Sequence, residues 1–159
     1  MGRVIAGRQA TVVPETGGVT FLIGMRINRL WQVWRWLPVF TAMPRMLIEL
    51  ARDPSLGLVG RPRTFLSGRV ILVWQQWTSF AALEAYARNS GAAHLPAWRA
   101  FNKRTRGNSS VGIYHETYLV TPGSMEGVYV NMPAFGFGSA FPTADAGSGR
   151  TTAAQRLGR

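Results

Sequence analysis

Residues Gly68–His94, GRVILVWQQWTSFAALEAYARNSGAAH, change period half-way along, and that change decides the fold. Val70, Ile71, Leu72, Val73 and Trp74 form a β-branched and aromatic run bounded by Ser67-Gly68, which is a strand signal. From Phe80 the period becomes helical: Phe80, Leu83 and Ala87 make an apolar stripe, while Ala81, Glu84 and Arg88 fall outside it. Thr78 or Ser79 supplies the helix cap. Asn89-Ser90-Gly91 then stops the helix with residues that tolerate left-handed backbone. His94 follows the stop, where a side chain can face a cavity. This strand–helix unit fixes no reaction by itself.

Upstream, Val19–Ile27 (VTFLIGMRI) is a second strand. Val19, Phe21, Ile23, Met25 and Ile27 share one face; Thr20, Leu22, Gly24, Arg26 and Asn28 share the other. Apolar residues on both faces predict a central strand covered on two sides. Leu30–Arg52 is long and apolar and holds three of the six Trp. Arg35, Arg45, Pro38 and Pro44 interrupt it, so it does not read as a membrane span. The pattern predicts a helical turn over Trp31–Trp36 and a helix entering at Pro38, disturbed at Pro44. Phe40, Met43, Leu47 and Leu50 form its expected buried stripe. The Trp cluster is read as packing under the helix entry, ahead of a membrane-interface belt. Leu56–Leu66 then reads as an irregular edge strand around Pro62, paired as a hairpin with Gly68–Trp77.

Downstream, Leu95–Arg106 reads as a helix with Trp98 and Phe101 inward and Lys103, Arg104 and Arg106 at its negative end. Val111–Thr121 (VGIYHETYLVT) is a strong strand. One face carries Val111, Ile113, His115, Thr117 and Leu119; the other carries Gly112, Tyr114, Glu116, Tyr118 and Val120. Glu126–Met132 is a last short strand, and Pro133–Pro142 an aromatic, Gly-rich flap. Residues 1–18 read as an arm with room for one short strand, and 143–159 as a disordered basic tail. Between them, residues 19–142 make one domain of strand, helix, strand, strand, helices, strand and an extra strand. That is an α+β, ferredoxin-like split βαβ order with helices on one face. The other sheet face still carries large apolar residues, and a second copy of the chain is the simplest cover, giving a homodimer.

Composition excludes several chemistries. The absence of cysteine removes disulfides, thiol nucleophiles, iron–sulfur clusters and cysteine-bound zinc. No metal-triad spacing is present, so no metal site is expected. The net charge of +11 comes from 17 Arg and one Lys against seven acids. No nucleic-acid motif accompanies it, which argues against a nucleic-acid partner, and an anionic small substrate is an alternative use of the charge. No signal-peptide pattern opens the chain, so a cytoplasmic location is expected.

Several segments also carry a family likeness: GMRIN (Gly24–Asn28), WLPVFTAMPRMLIEL, LEAYAR, HLPAWRAFN, VGIYHETY and VNMPAFGFG. They resemble monooxygenase-family proteins of the antibiotic-biosynthesis-monooxygenase-like, dimeric α/β-barrel superfamily. The resemblance spans roughly Val19–Gly138. It implies a ferredoxin-like protomer, a dimeric α/β barrel and a pocket between sheet and helices. It further implies an oxidoreductase acting on a small hydrophobic or aromatic metabolite, or else a binder of haem or a hydrophobic ligand without turnover. The cofactor is then none or haem. His94 matches in placement the haem-holding His of the haem-degrading members. Their first-strand Asn and helix Trp are missing, because Gly24, Met25 and Tyr86 stand there instead.

The candidate catalytic residues are His94, His115, Arg26 and Asn28. A His would remove a substrate proton and Arg26 or Asn28 would steady the resulting oxyanion. Trp74, Trp77, Tyr86, Trp98 and Glu116 are the expected pocket residues. His115 and Glu116, as strand neighbours, point to opposite faces and cannot act as one pair.

Overall fold

The computed structural model describes residues 3–92, 94–147 and 149–159, leaving aside the side chains of His94, Arg104 and Thr105. In chain order the elements are β1 (Ile5–Thr11), β2 (Gly18–Ile27), α1 (Val33–Arg52), β3 (Leu58–Ser67), β4 (Val70–Trp77) and α2 (Phe80–Arg88). They continue with α3 (His94–Thr105), β5 (Val111–Val120), β6 (Val128–Met132), β7 (Thr143–Asp145) and α4 (Ala153–Arg156).

The main sheet has the order β3-β4-β2-β5 and is antiparallel throughout. Val19 lies opposite both Trp77 and Leu119, and Arg26 opposite both Val70 and Gly112, so β2 is fully paired on each side. With α1 after β2 and α2 and α3 after β4, this is the ferredoxin-like split βαβ arrangement expected from the sequence. The hairpin is also as expected. Its edge strand slips register between Val59 and Arg63, where Gly60 takes a positive φ and Pro62 follows.

One face of the sheet packs against the helices. Val19, Trp77, Leu83, Tyr86 and Leu50 form one buried cluster, with Trp77 only 1% exposed. Met25, Ile27 and Val111 form a second, with Trp36, Val39 and Phe101 packed on it. Ser79 caps α2, its hydroxyl accepting from the Ala82 amide.

Three expectations are corrected. First, α1 begins at Val33 and runs through both prolines, so Pro38 is an interior residue and not the entry. The Thr41 hydroxyl donates to the carbonyls of Leu37 and Pro38, engaging acceptors in the turn that proline disturbs. Burial of Met46 and Leu50 anchors the C-terminal half. Second, the buried stripe is Trp36, Val39, Met43, Met46 and Leu50, while Phe40 is exposed. Trp31 and Trp34 do not pack under the helix entry at all. They are 69% and 68% exposed, and only Trp36 turns in, its Nε1 donating to the Leu30 carbonyl at 3.0 Å.

Third, the tail carries β7 and α4, while the arm supplies the one short strand, β1, for which the sequence left room. β1, β6 and β7 form a second antiparallel sheet in the order β6-β1-β7. Ala10 faces Ala144 across it and is buried. Thr152 and Gln155 make a capping box on α4, and Arg156 Nε pairs with Glu126 Oε2 at 2.6 Å. Pairing between distant strands supplies the order that the local Ala/Gly/Thr composition does not announce.

Candidate functional site

The helix layer does not close down on the sheet everywhere. Between α1, α3 and the β2–β4–β5 face lies a cavity of about 730 Å³. Leu37, Phe40, Met43 and Leu47 of α1 form one wall, and Pro96, Trp98 and Phe101 of α3 form another. Ile23, Met25, Ile71, Val73 and Ile113 make the floor. Trp98 and Phe101 stack at 5.5 Å, giving α3 a rigid aromatic plate. Polar side chains in the lining are few: Thr41, Thr64 and Arg45. Thr41 is committed to helix carbonyls, which leaves Thr64 on the sheet and Arg45 on the helix to meet a polar group of a ligand. Among the described residues Arg45 is the charged group of the lining, an arrangement suited to a neutral apolar molecule or one with a single anionic edge.

A second cavity of about 40 Å³ lies behind the first and shares Ile23, Met43 and Met46 with it. Its remaining walls include Trp77, Leu83 and Tyr86. The Tyr86 hydroxyl donates to Glu49 Oε2 at 2.8 Å. Burial pushes the phenol's pKa upward, and the hydrogen bond and charge of Glu49 add to the shift, so Tyr86 holds its proton. Trp77 Nε1 donates to Gln75 Oε1 at 3.0 Å. Trp77 and Tyr86 therefore belong to the core behind the chamber, whereas Trp98 is in its wall.

The catalytic candidates are not gathered together. His94 is the first residue of α3, two positions ahead of the wall residue Pro96, and its side chain lies outside the described residues. His115 is exposed on edge strand β5, with its ring 5.7 Å from Phe21 and no place in the chamber lining. Arg26 and Asn28 are on the far side of the sheet, as alternation from buried Met25 and Ile27 requires. There the Arg26 guanidinium donates to Asn28 Oδ1, and Asn28 Nδ2 donates to the Ser109 carbonyl. This arrangement fastens the end of β2 to the loop before β5, and the pair cannot reach a ligand in the chamber of the same protomer.

Trp74 is also on the far face, beneath the flap. Phe135 packs on it at 5.9 Å, and Arg63 stacks over Phe135 at 5.0 Å. Glu116 accepts from the Tyr118 hydroxyl at 2.7 Å on the same face, and that hydrogen bond raises the pKa of Tyr118. Sequence reasoning missed Leu37, Arg45 and Thr64. The signal available for α1 was a second apolar stripe, Trp34-Leu37-Thr41-Pro44-Ile48, running beside the buried one. Among the described residues no group of three or more His, Cys, Asp or Glu is placed to hold a metal ion.

A four-stranded antiparallel sheet in the order β3-β4-β2-β5 with helices packed on one face defines an α+β, ferredoxin-like protein. The chain belongs to the monooxygenase af470-like family, whose profile matches residues 18–137. No curated protein matches the sequence. Among solved structures, an aldoxime dehydratase superposes with a TM-score of 0.67 at 18% identity, covering 88% of this chain and 44% of that one. The aldoxime dehydratase OxdRE in complex with butyraldoxime gives 0.62 at 20% identity, covering 94% and 42%. This chain thus spans less than half of either dehydratase, and the likeness is one of fold. SnoaB, a cofactor-independent oxygenase from Streptomyces nogalater, has a TM-score of 0.46 at 17% identity, over 64% of this chain and 91% of its own.

Proposed function

We propose that the protein is an oxygenase-type oxidoreductase whose substrate is a small hydrophobic, electron-rich aromatic molecule bound in the chamber. The observation that carries this reading is the chamber itself: about 730 Å³ of apolar space with an aromatic plate on one wall and, among the described residues, one cation in the lining. Membership in a monooxygenase-like family supports it. In the cofactor-free version, a base takes a proton from an activated CH₂ or phenol, and Arg45 or Thr64 meets the oxygen on which charge develops. The substrate carbanion reduces dioxygen; CH₂ becomes C=O, and the second oxygen atom leaves with two hydrogens as water. His94 is our candidate base, since it heads the helix that supplies Trp98 and Phe101. Arg26, Asn28 and His115 have no part in this version.

Haem is the other cofactor that the superfamily resemblance implies. The described chamber residues do not fit it, because the lining holds neither imidazole nor phenol. A haem reading hangs on His94 alone.

Oxygen uptake with a panel of polycyclic phenols tests the proposal. We expect uptake by protein purified without haem, reduced about 100-fold or more by His94→Ala and retained by His115→Ala. Uptake unaffected by His94→Ala removes His94 as the base. A Soret band that disappears in His94→Ala makes this a haem protein instead, and a colourless protein that oxidises nothing but takes up an apolar dye leaves ligand binding without turnover.

We also infer a homodimer formed through the far face of the main sheet. Leu22 and Leu72 are only half-buried there, and Phe65, Tyr114 and Tyr118 are exposed beside them. Light scattering at micromolar concentration should give twice the 17.5 kDa chain mass, falling to 17.5 kDa in Tyr114→Lys/Tyr118→Lys. A wild-type monomer ends this inference.

A further inference from the structure

Helix α1 is apolar on both sides. Trp36, Val39, Met43, Met46 and Leu50 turn to the sheet, while Trp34, Leu37, Thr41, Pro44 and Ile48 follow one another at the same three- and four-residue steps on the outer side. Trp34 is 68% exposed, Ile48 52% and Leu37 43%, and Leu30 and the 69%-exposed Trp31 extend the patch ahead of the helix. A helix apolar all round needs cover on its second face too.

Charge indicates what that cover is. From residue 16 to residue 48 the chain has no Asp or Glu, and it has four Arg: Arg26, Arg29, Arg35 and Arg45. Arg29 and Arg45 are exposed, one just ahead of the helix and one beside its outer stripe. A second copy docked here about a two-fold axis would set these cations against their own images. A surface of anionic headgroups would instead pair with them while taking up the indoles, which favour the boundary between headgroup and acyl chain. We infer that the outer face of α1, with Trp31 and Trp34 as anchors, docks on an anionic lipid bilayer. It lies in the interface and does not cross it; among the described residues no helix is long and apolar enough to span a membrane.

The patch is continuous with the chamber. Leu37 and Phe40 line the chamber and are exposed, and Trp98 completes an apolar rim. A docked α1 therefore sets the chamber mouth against the lipid, giving a hydrophobic substrate a route from bilayer to chamber that avoids water. This last step rests on the chamber reading given above; the docking does not.

Co-sedimentation with vesicles of equal parts phosphatidylcholine and phosphatidylglycerol tests it, with phosphatidylcholine vesicles as comparison. Wild-type protein should bind the anionic vesicles, with a blue shift of Trp emission, and bind less as salt rises from about 0.05 M to about 0.5 M. Trp31→Ser/Trp34→Ser should weaken binding about ten-fold or more with an unchanged melting curve, since both indoles are exposed. Arg29→Glu/Arg45→Glu should weaken it on anionic vesicles only. Ala100→Trp, placed inside the chamber, should bind vesicles like wild type, which separates failure of docking from failure of the chamber reading. No binding at low salt overturns the inference. So does a double-Trp variant that binds normally, or one that turns a dimer into a monomer while vesicle binding is unchanged.

Discussion

Tyr86 on α2 donates its hydroxyl proton to Glu49 on α1, a hydrogen bond between two helices made directly behind the apolar chamber. It joins the two helices where both pack on the sheet, with Tyr86 against Trp77 and Leu50 in the same buried cluster. Removing the donor in Tyr86→Phe should cost about 1–3 kcal/mol, because Glu49 is half-buried and loses that partner. The pH dependence has a definite sign. The folded-state pKa of Tyr86 lies above its ordinary value of 10, so its contribution is fully present below pH 10 and is lost as pH climbs toward the folded value. Thermal melts above pH 10 should therefore fall more steeply for wild type than for Tyr86→Phe.

Chamber volume is testable through a single alanine. Ala100 lies in the α3 wall, and Ala100→Trp should fill much of the space. We expect about ten-fold weaker binding of an apolar fluorescent dye and a cost of about 1–3 kcal/mol from overpacking. Unchanged dye binding would place the ligand site elsewhere.

Gly136 tests the flap. Its φ is +54°, and a Cβ there would stand 2.6 Å from Trp74 Cη2. Gly136→Ala combines left-handed strain with a clash against a ring that Phe135 already covers, so a loss of about 1–3 kcal/mol is expected. Trp emission should shift to the red as the flap lifts from Trp74.

Arg156 ties down the C-terminal segment. Its Nε pairs with Glu126, and Nη1 donates to the carbonyls of Arg150 and Thr151 at 2.9 and 3.0 Å, with the side chain 6% exposed. Arg156→Ala leaves Glu126 unpaired and should release α4 locally. Limited proteolysis should then cut within residues 147–159 several-fold faster, while the melting point of the main domain stays close to wild type.

The parts of the fold legible in the sequence are those governed by local period. β4, α2 and β5 announce themselves because each buries a regular face, and their order alone implies the split βαβ sheet. The parts that stayed hidden depend on partners far along the chain. β1 and β7 are Gly-, Ala- and Thr-containing segments that become strands only by pairing with each other and with β6. α1 crosses two prolines because Met46 and Leu50 are already held by the core, and propensity gives way to packing. The site divides in the same way. Alternation correctly separated His115 from Glu116 and set Arg26 apart from Met25. It could not say that β5 lies at the edge of the sheet, with His115 exposed on it, nor that Arg45 of α1 lines the chamber.

The three-stranded sheet has a consequence for synthesis of the chain. Its central strand, β1, is synthesised before both of its partners, and Asp145 follows its partner Gln9 by 136 positions. At about 5–20 residues per second, β1 waits on the order of ten seconds with both edges unsatisfied. Its composition suits that wait: Arg8 and Gln9 make it a poor template for stray pairing, and the positive φ at Gly7 interrupts its edge. The three-stranded sheet is therefore complete only when β7 arrives, built around a strand made 136 positions earlier.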